Sequence, residues 1–223
     1  MMSNITTFVN LDNVSEIATP RRRRRRSDAD RSAGAILLAA KEILAAQPHG
    51  SVEDIAAAAG VSRQTVYAHF KTREALIGAV IDVITGEAVA EMDAARLDEG
   101  PAANALLRLL DASWRTLQRY PLLLSIATTA DVEADHARHQ PVVDHLDRLL
   151  TRGRRSGEFT TDVPAPWLAT AVVTLGHAAG DAVNAGRMTL PDATEALARS
   201  VLRVCGVNPA TITDLVSGSE PRT

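Results

Sequence analysis

The sequence predicts an all-α chain of about nine helices in two parts, and three observations predict it. From Asp30 to Val204 apolar residues recur three and four apart, the spacing of one helical face. The interruptions are brief glycine and proline signals, among them Gly50, Gly60, Gly100, Pro101, Gly157, Pro164 and Pro191. No segment alternates with a period of two among β-branched residues between turn signals, so no sheet is expected.

The first helix follows from Ala33, Ile36, Leu37, Ala40, Ile43 and Leu44, which share one stripe that ends near Pro48 and Gly50. Ser51 reads as the N-cap of a short second helix, with Asp54 three residues on, and Val52, Ile55, Ala56 and Ala59 form its buried face. Gly60 ends it. Ser62 caps a third helix running to Ala68 or His69, with Val66 and Phe70 pointing inward, and Thr72 caps a long fourth helix carrying Leu76, Val80, Ile81 and Ile84. Helical periodicity continues over about 102–119, 121–130, 138–155, 164–185 and 190–205. Residues 1–28 lack it and include Pro20 and the run Arg21 to Arg26, whose self-repulsion opposes folding, so they are expected to form a disordered basic arm.

With 46% hydrophobic residues among 223, the chain can bury a core of its own. Its apolar stretches fall well short of the roughly 18 residues that a spanning helix needs. The N-terminus has no charged segment leading into an apolar run, and a single cysteine, Cys205, supports no disulfide framework. These features point to a cytoplasmic protein without membrane contact. The net charge of -3 conceals a segregation: residues 21–80 carry 11 Lys or Arg against 6 Asp or Glu, and residues 81–223 carry 13 against 19. A basic N-terminal third on an acidic remainder suits a molecule that meets a polyanion with one end.

The segment from Val52 to Phe70 says which polyanion. Two short helices meeting at a tight turn need a small residue at the contact, a residue tolerant of positive φ, and an apolar anchor after it, and Ala56, Gly60 and Val61 supply them in order. The helix opened by Ser62 presents Arg63, Gln64, Thr65, Tyr67 and His69, types that suit base edges and phosphates better than the Glu/Lys ladder of an ordinary surface helix. This is a helix-turn-helix.

Here the chain resembles the tetracycline-repressor-like (TetR) family of regulators. The resemblance rests on Ile55-Ala56, Ala59-Gly60-Val61-Ser62, Thr65-Val66-Tyr67, His69-Phe70 and Arg73-Glu74-Ala75-Leu76, in the family's order and spacing. It implies DNA contacts by Ser62, Arg63, Gln64, Thr65, Tyr67, His69 and Arg73, with Lys71 as a neighbour. Gln64 stands where many relatives have Gly or Pro. The run Arg21, Arg22, Arg23, Arg24, Arg25 and Arg26 is read as an arm that tracks phosphates or the minor groove and adds affinity with little sequence preference.

The resulting division is a basic arm over 1–28, a helix-turn-helix DNA-binding domain over 29–75, an effector-binding and dimerisation domain over 76–207 and a flexible tail over 208–223. A short reading helix covers only a few base pairs, so two copies about one DNA turn apart are expected. The helix from Trp167 to Val183, rich in Ala169, Ala171, Gly176, Ala178, Ala179 and Gly180, is the candidate homodimer interface together with Asp192 to Val204. The family holds effectors between its middle helices, which makes Trp114, Leu117, Leu124, Ile126, His136, His145, Trp167, His177 and Asp181 candidate ligand contacts.

Asp131, Glu133, Asp135, His136 and His139 match no metal-ligand spacing, and no phosphate loop, nucleophile elbow or paired acid–base constellation occurs, so neither cofactor, metal nor enzymatic activity is expected. The reading is a ligand-responsive repressor released from its operator by a small molecule. The rival is a constitutive or architectural DNA binder whose second half only dimerises, and a fully packed C-terminal domain would favour it.

Overall fold

The computed structural model describes residues 20–120 and 132–217, with side chains from 28 to 120 and from 137 to 217. Among these residues there are nine helices and no strand: α1 (Pro20–Ala46), α2 (Val52–Ala58), α3 (Arg63–His69), α4 (Arg73–Ala94), α5 (Ala102–Arg119), α6 (Val132–Ser156), α7 (Ala165–Asn184), α8 (Leu190–Val204) and α9 (Pro209–Ser217).

Two apolar cores organise them. The smaller joins Ile36, Ala40 and Leu44 of α1, Val52, Ile55 and Ala56 of α2, Val66 of α3 and Leu76, Val80 and Ile84 of α4. The larger begins further along the same α4, at Ala88 and Met92, and continues through α5 to α9. No separate linker divides head from body, because one 22-residue helix contributes side chains to both. Among the described residues no helix is long and apolar enough to cross a membrane.

Local chemistry accounts for the helix ends. Ser51 and Asp54 form a full capping box, each side chain accepting from the other's backbone at 3.1 Å. Gly60 turns the chain with φ +66, where a Cβ would be strained, and Val61 donates to the Ala56 carbonyl at 3.0 Å. The start of α5 has no side-chain cap of its own. Glu158, from the turn after α6, takes that part by accepting from the amides of Ala102 (3.0 Å) and Ala103 (3.1 Å).

The boundaries differ from the sequence expectation in three places. First, α1 begins at Pro20, so Arg21 to Arg26 lie in helical backbone, where the arm over 1–28 was expected to be disordered. Extending a helix already anchored at Ile36 needs no new nucleus, arginine is a good helix former, and proline is at home in a first turn. Second, α6 begins at Val132, with Pro141 inside it rather than in its first turn; Pro141 is exposed. Third, the expected flexible tail after 207 contains α9, whose Ile212 is 2% exposed against the body. Ile212, Leu215 and Val216 share one face, a pattern too short to register as periodicity. The helix expected over 121–130 lies outside the described residues, as do residues 1–19 of the arm and 218–223 of the tail.

Candidate DNA interface and effector cavity

The reading helix α3 packs on the head through the buried Val66, 1% exposed, and the half-buried ring of Tyr67. Arg63 and Gln64 are exposed. Arg63 pairs with Glu53 of α2 at 2.5 Å and lies 5.4 Å from the centre of the Tyr67 ring, so α2 and Tyr67 orient its guanidinium. Ser62 and Thr65 are occupied with each other: the Ser62 hydroxyl accepts from the Thr65 amide at 3.1 Å and its oxygen lies 2.8 Å from the Thr65 hydroxyl. Tyr67 and His69 are half-buried, His69 tilted against Phe70, and Lys71 is exposed. Arg73 donates to the Gly50 carbonyl at 2.6 Å, tying the start of α4 to the turn before α2. Arg73 therefore braces the unit. The backbone of Arg21 to Arg26 is in α1, and their side chains lie outside the described ones.

Between the body helices lies a mainly apolar cavity of about 120 Å³. Ile81, Thr85, Ala88 and Met92 of α4 form one wall, and Leu109, Ser113, Trp114, Thr116 and Leu117 of α5 form the next. Arg138, His139, Val142 and Leu146 of α6 face Val172, Val173, Gly176 and His177 of α7, with Leu197 of α8 behind. The His139 and His177 rings meet edge to face at 5.3 Å. The Ser113 hydroxyl is taken by the Leu109 carbonyl at 2.8 Å, while the buried indole N–H of Trp114 has no acceptor among the described residues.

Of the nine sequence candidates for ligand contact, Trp114, Leu117 and His177 meet in this cavity. His145 does not: it is buried in a separate polar recess, where Arg148 Nη2 donates to Nδ1 at 2.7 Å and Nε2 faces Asp93 at 3.1 Å. Since arginine can only donate, Nδ1 is the acceptor and the proton sits on Nε2. Trp167, 61% exposed, and Asp181 stand on the open face of α7 instead. Leu124 and Ile126 lie outside the described residues, and of His136 only the backbone is described, in α6. The sequence reading missed Arg138, His139 and the α4 wall. The 81, 85, 88, 92 spacing along α4 was the available signal, and it reads as ordinary core.

The expected interface stripe on α7 is divided. Ala169 and Gly180 are buried within the chain and Gly176 walls the cavity, whereas Trp167, Thr170, Thr174, Ala178 and Asp181 face outward uncovered.

Residues 36–80 match the family model described as bacterial regulatory proteins, tetR family. The chain is 30% identical over 171 residues to the HTH-type transcriptional regulator EthR of Mycolicibacterium smegmatis, covering 71% of this chain and 78% of that one. It is 27% identical over 168 residues to the HTH-type transcriptional regulator NfxB of Pseudomonas aeruginosa, covering 74% and 88%. Among solved structures, the TetR-like regulator LfrR from Mycobacterium smegmatis in complex with proflavine superposes with a TM-score of 0.57 at 26% identity, over 78% of this chain and 96% of that one.

Proposed function

The chain belongs to the TetR family of bacterial regulatory proteins, a transcriptional regulator rather than an enzyme, and from that premise we propose that it binds a palindromic operator as a homodimer and leaves it when a small molecule fills the α4–α8 cavity. The observation that carries this reading is the double duty of α4, whose Leu76, Val80 and Ile84 pack the head while Ile81, Thr85 and Met92 wall the cavity. A molecule that displaces this helix on one side moves the base of the reading unit on the other.

Arg63, Gln64 and Tyr67 read or grip the groove, Lys71 meets phosphate, and Ser62, Thr65 and Arg73 hold that surface in shape. Arg21 to Arg26 add phosphate contacts from the N-terminal end of α1. The outward face of α7, with Trp167, Thr170, Thr174 and Ala178, pairs with its copy. LfrR was solved with proflavine, which supports a small-molecule role for the corresponding part of this chain. The open cavity weighs against the constitutive architectural alternative.

The test is selection and sequencing of DNA fragments by the purified protein, with gel shifts of the recovered site and light scattering for the assembly state. Inverted half-sites about one turn apart, a dimer, and operator affinity reduced about tenfold or more in Arg63→Ala and Tyr67→Phe are expected. A strictly monomeric chain, or unchanged gel shifts in both variants, would refute the assignment.

A further inference from the structure

Among the described residues Arg138 is the one side chain with a fixed charge in the cavity wall. It also reaches across to α4, where its Nε–H donates to Asp82 at 2.7 Å. The guanidinium lies over the turn that starts at Gly78: a Cβ there would stand 3.5 Å from Nη2. The partners are unequally placed, because the Arg138 side chain is 19% exposed and that of Asp82 is 61% exposed. Water competes strongly for a carboxylate so exposed, and such a pair contributes little. A carboxylate brought to the same guanidinium from the apolar side meets less competing water and forms a stronger charge-assisted hydrogen bond.

The rest of the wall restricts what can carry that carboxylate. No described wall residue is an Asp or Glu that would receive a cation, and a cation would also meet Arg138. Met92, Leu109, Trp114, Val142 and Val172 ask for an apolar body. The cavity, about 120 Å³, is of the order of the ~150 Å³ that accepts one benzene ring.

We propose that this cavity takes a compact organic monoacid, a single aromatic ring or short alkyl body bearing one carboxylate, and that the carboxylate draws Arg138 away from Asp82 and so unties α6 from α4. This rests on the effector reading of the cavity given above and adds the ligand's chemistry and its point of leverage. A ligand shifts an equilibrium only through contacts that differ between the two states. Arg138 supplies that difference, since Asp82 holds it in one state and the ligand in the other. The Asp82 carboxylate, already at the surface, returns to water.

The experiment titrates the unaltered full-length protein by calorimetry with benzoate and phenylacetate, with benzamide and benzyl alcohol as neutral counterparts and benzylamine as the cation. The selected operator is then challenged with each compound in gel shifts. The acids are expected to bind at least tenfold more tightly than the neutral compounds and to release the operator. Arg138→Met is expected to bring acid affinity down to the level of the amide, and Asp82→Asn to tighten acid binding by freeing Arg138. Equal binding of benzoate and benzamide, preference for benzylamine, an acid preference that survives Arg138→Met, or acids that bind without releasing DNA each overturn the proposal. Release of the operator by benzylamine alone sinks the monoacid but keeps the effector site, whereas a protein that selects no operator at all fails at the earlier step.

Discussion

The Tyr120 hydroxyl donates to Glu87 Oε2 across 3.3 Å, fastening the C-terminal end of α5 to α4. Lys41 of α1 reaches the same point: its ammonium pairs with Glu87 Oε1 at 2.5 Å and lies 5.6 Å from the centre of the Tyr120 ring. Tyr120 is 5% exposed and belongs to the core of the head, although its helix walls the cavity one turn earlier at Thr116 and Leu117.

Tyr120→Phe should therefore lower stability by about 1 kcal/mol, the usual worth of a hydrogen bond. Tyr120→Ala should cost roughly 3 kcal/mol by opening the head core. Urea unfolding of both variants measures this, and near-identical midpoints for the alanine variant and the parent would show that Tyr120 is not a joint.

Glu158 links the α6–α7 turn to the start of α5. Burial raises its pKa, but the amides of Ala102 and Ala103, the Ser156 hydroxyl and nearby Arg152 outweigh that and hold it below the ordinary value. A carboxyl depressed in the folded state contributes stability that is fully present above its unfolded pKa of about 4.3 and is lost as the pH falls through the lower folded value. Glu158→Gln should cost about 1 kcal/mol at pH 7, as loss of a helix cap does. The gap between variant and parent should close on acidification below about pH 4, and thermal melts across pH 3–7 would show a constant gap if the cap were irrelevant.

Gly153 faces the buried ring of Phe159, into which a Cβ would run directly. Gly153→Ala should destabilise by about 1–3 kcal/mol through overpacking. Pairing it with Phe159→Leu should cost less than the two changes added, and strict additivity in denaturant titrations would speak against the contact.

Cys205 is fully buried, and burial pushes its thiol up to about 11. The native protein should react with Ellman's reagent at pH 8 only as fast as it opens, since the thiolate is the reactive form. Stoichiometric labelling within seconds, without denaturant, would contradict this.

What could be read ahead of the structure was whatever depends on near neighbours. Ser51 with Asp54, Gly60, Ser62 and Thr72 place α2, α3 and the start of α4 because each acts on backbone groups within four residues. The cavity depends on which faces of five helices meet, and that is decided by packing across long separations. Trp114, Leu117 and His177 can be named because the family resemblance points to the middle helices. Trp167 and Asp181 qualify on the same ground, and only tertiary packing turns them outward. Arg73 fits its family role in spacing, and its bond to the Gly50 carbonyl 23 residues earlier is a tertiary contact that spacing does not show. Arg138 carries no comparable signal, because its partner Asp82 lies 56 residues earlier and only the packing of α6 on α4 brings the two together.

Because α4 belongs to both cores, its residues cannot be tuned for one task alone. A substitution at Val80 or Ile81 alters adjoining sides of a single rod, so under the proposed function a change that recuts the cavity wall also shifts the packing of the head. Diversification of this regulator is thus expected to run through α5, α6 and α7, where a wall can be recut while the lever stays as it is.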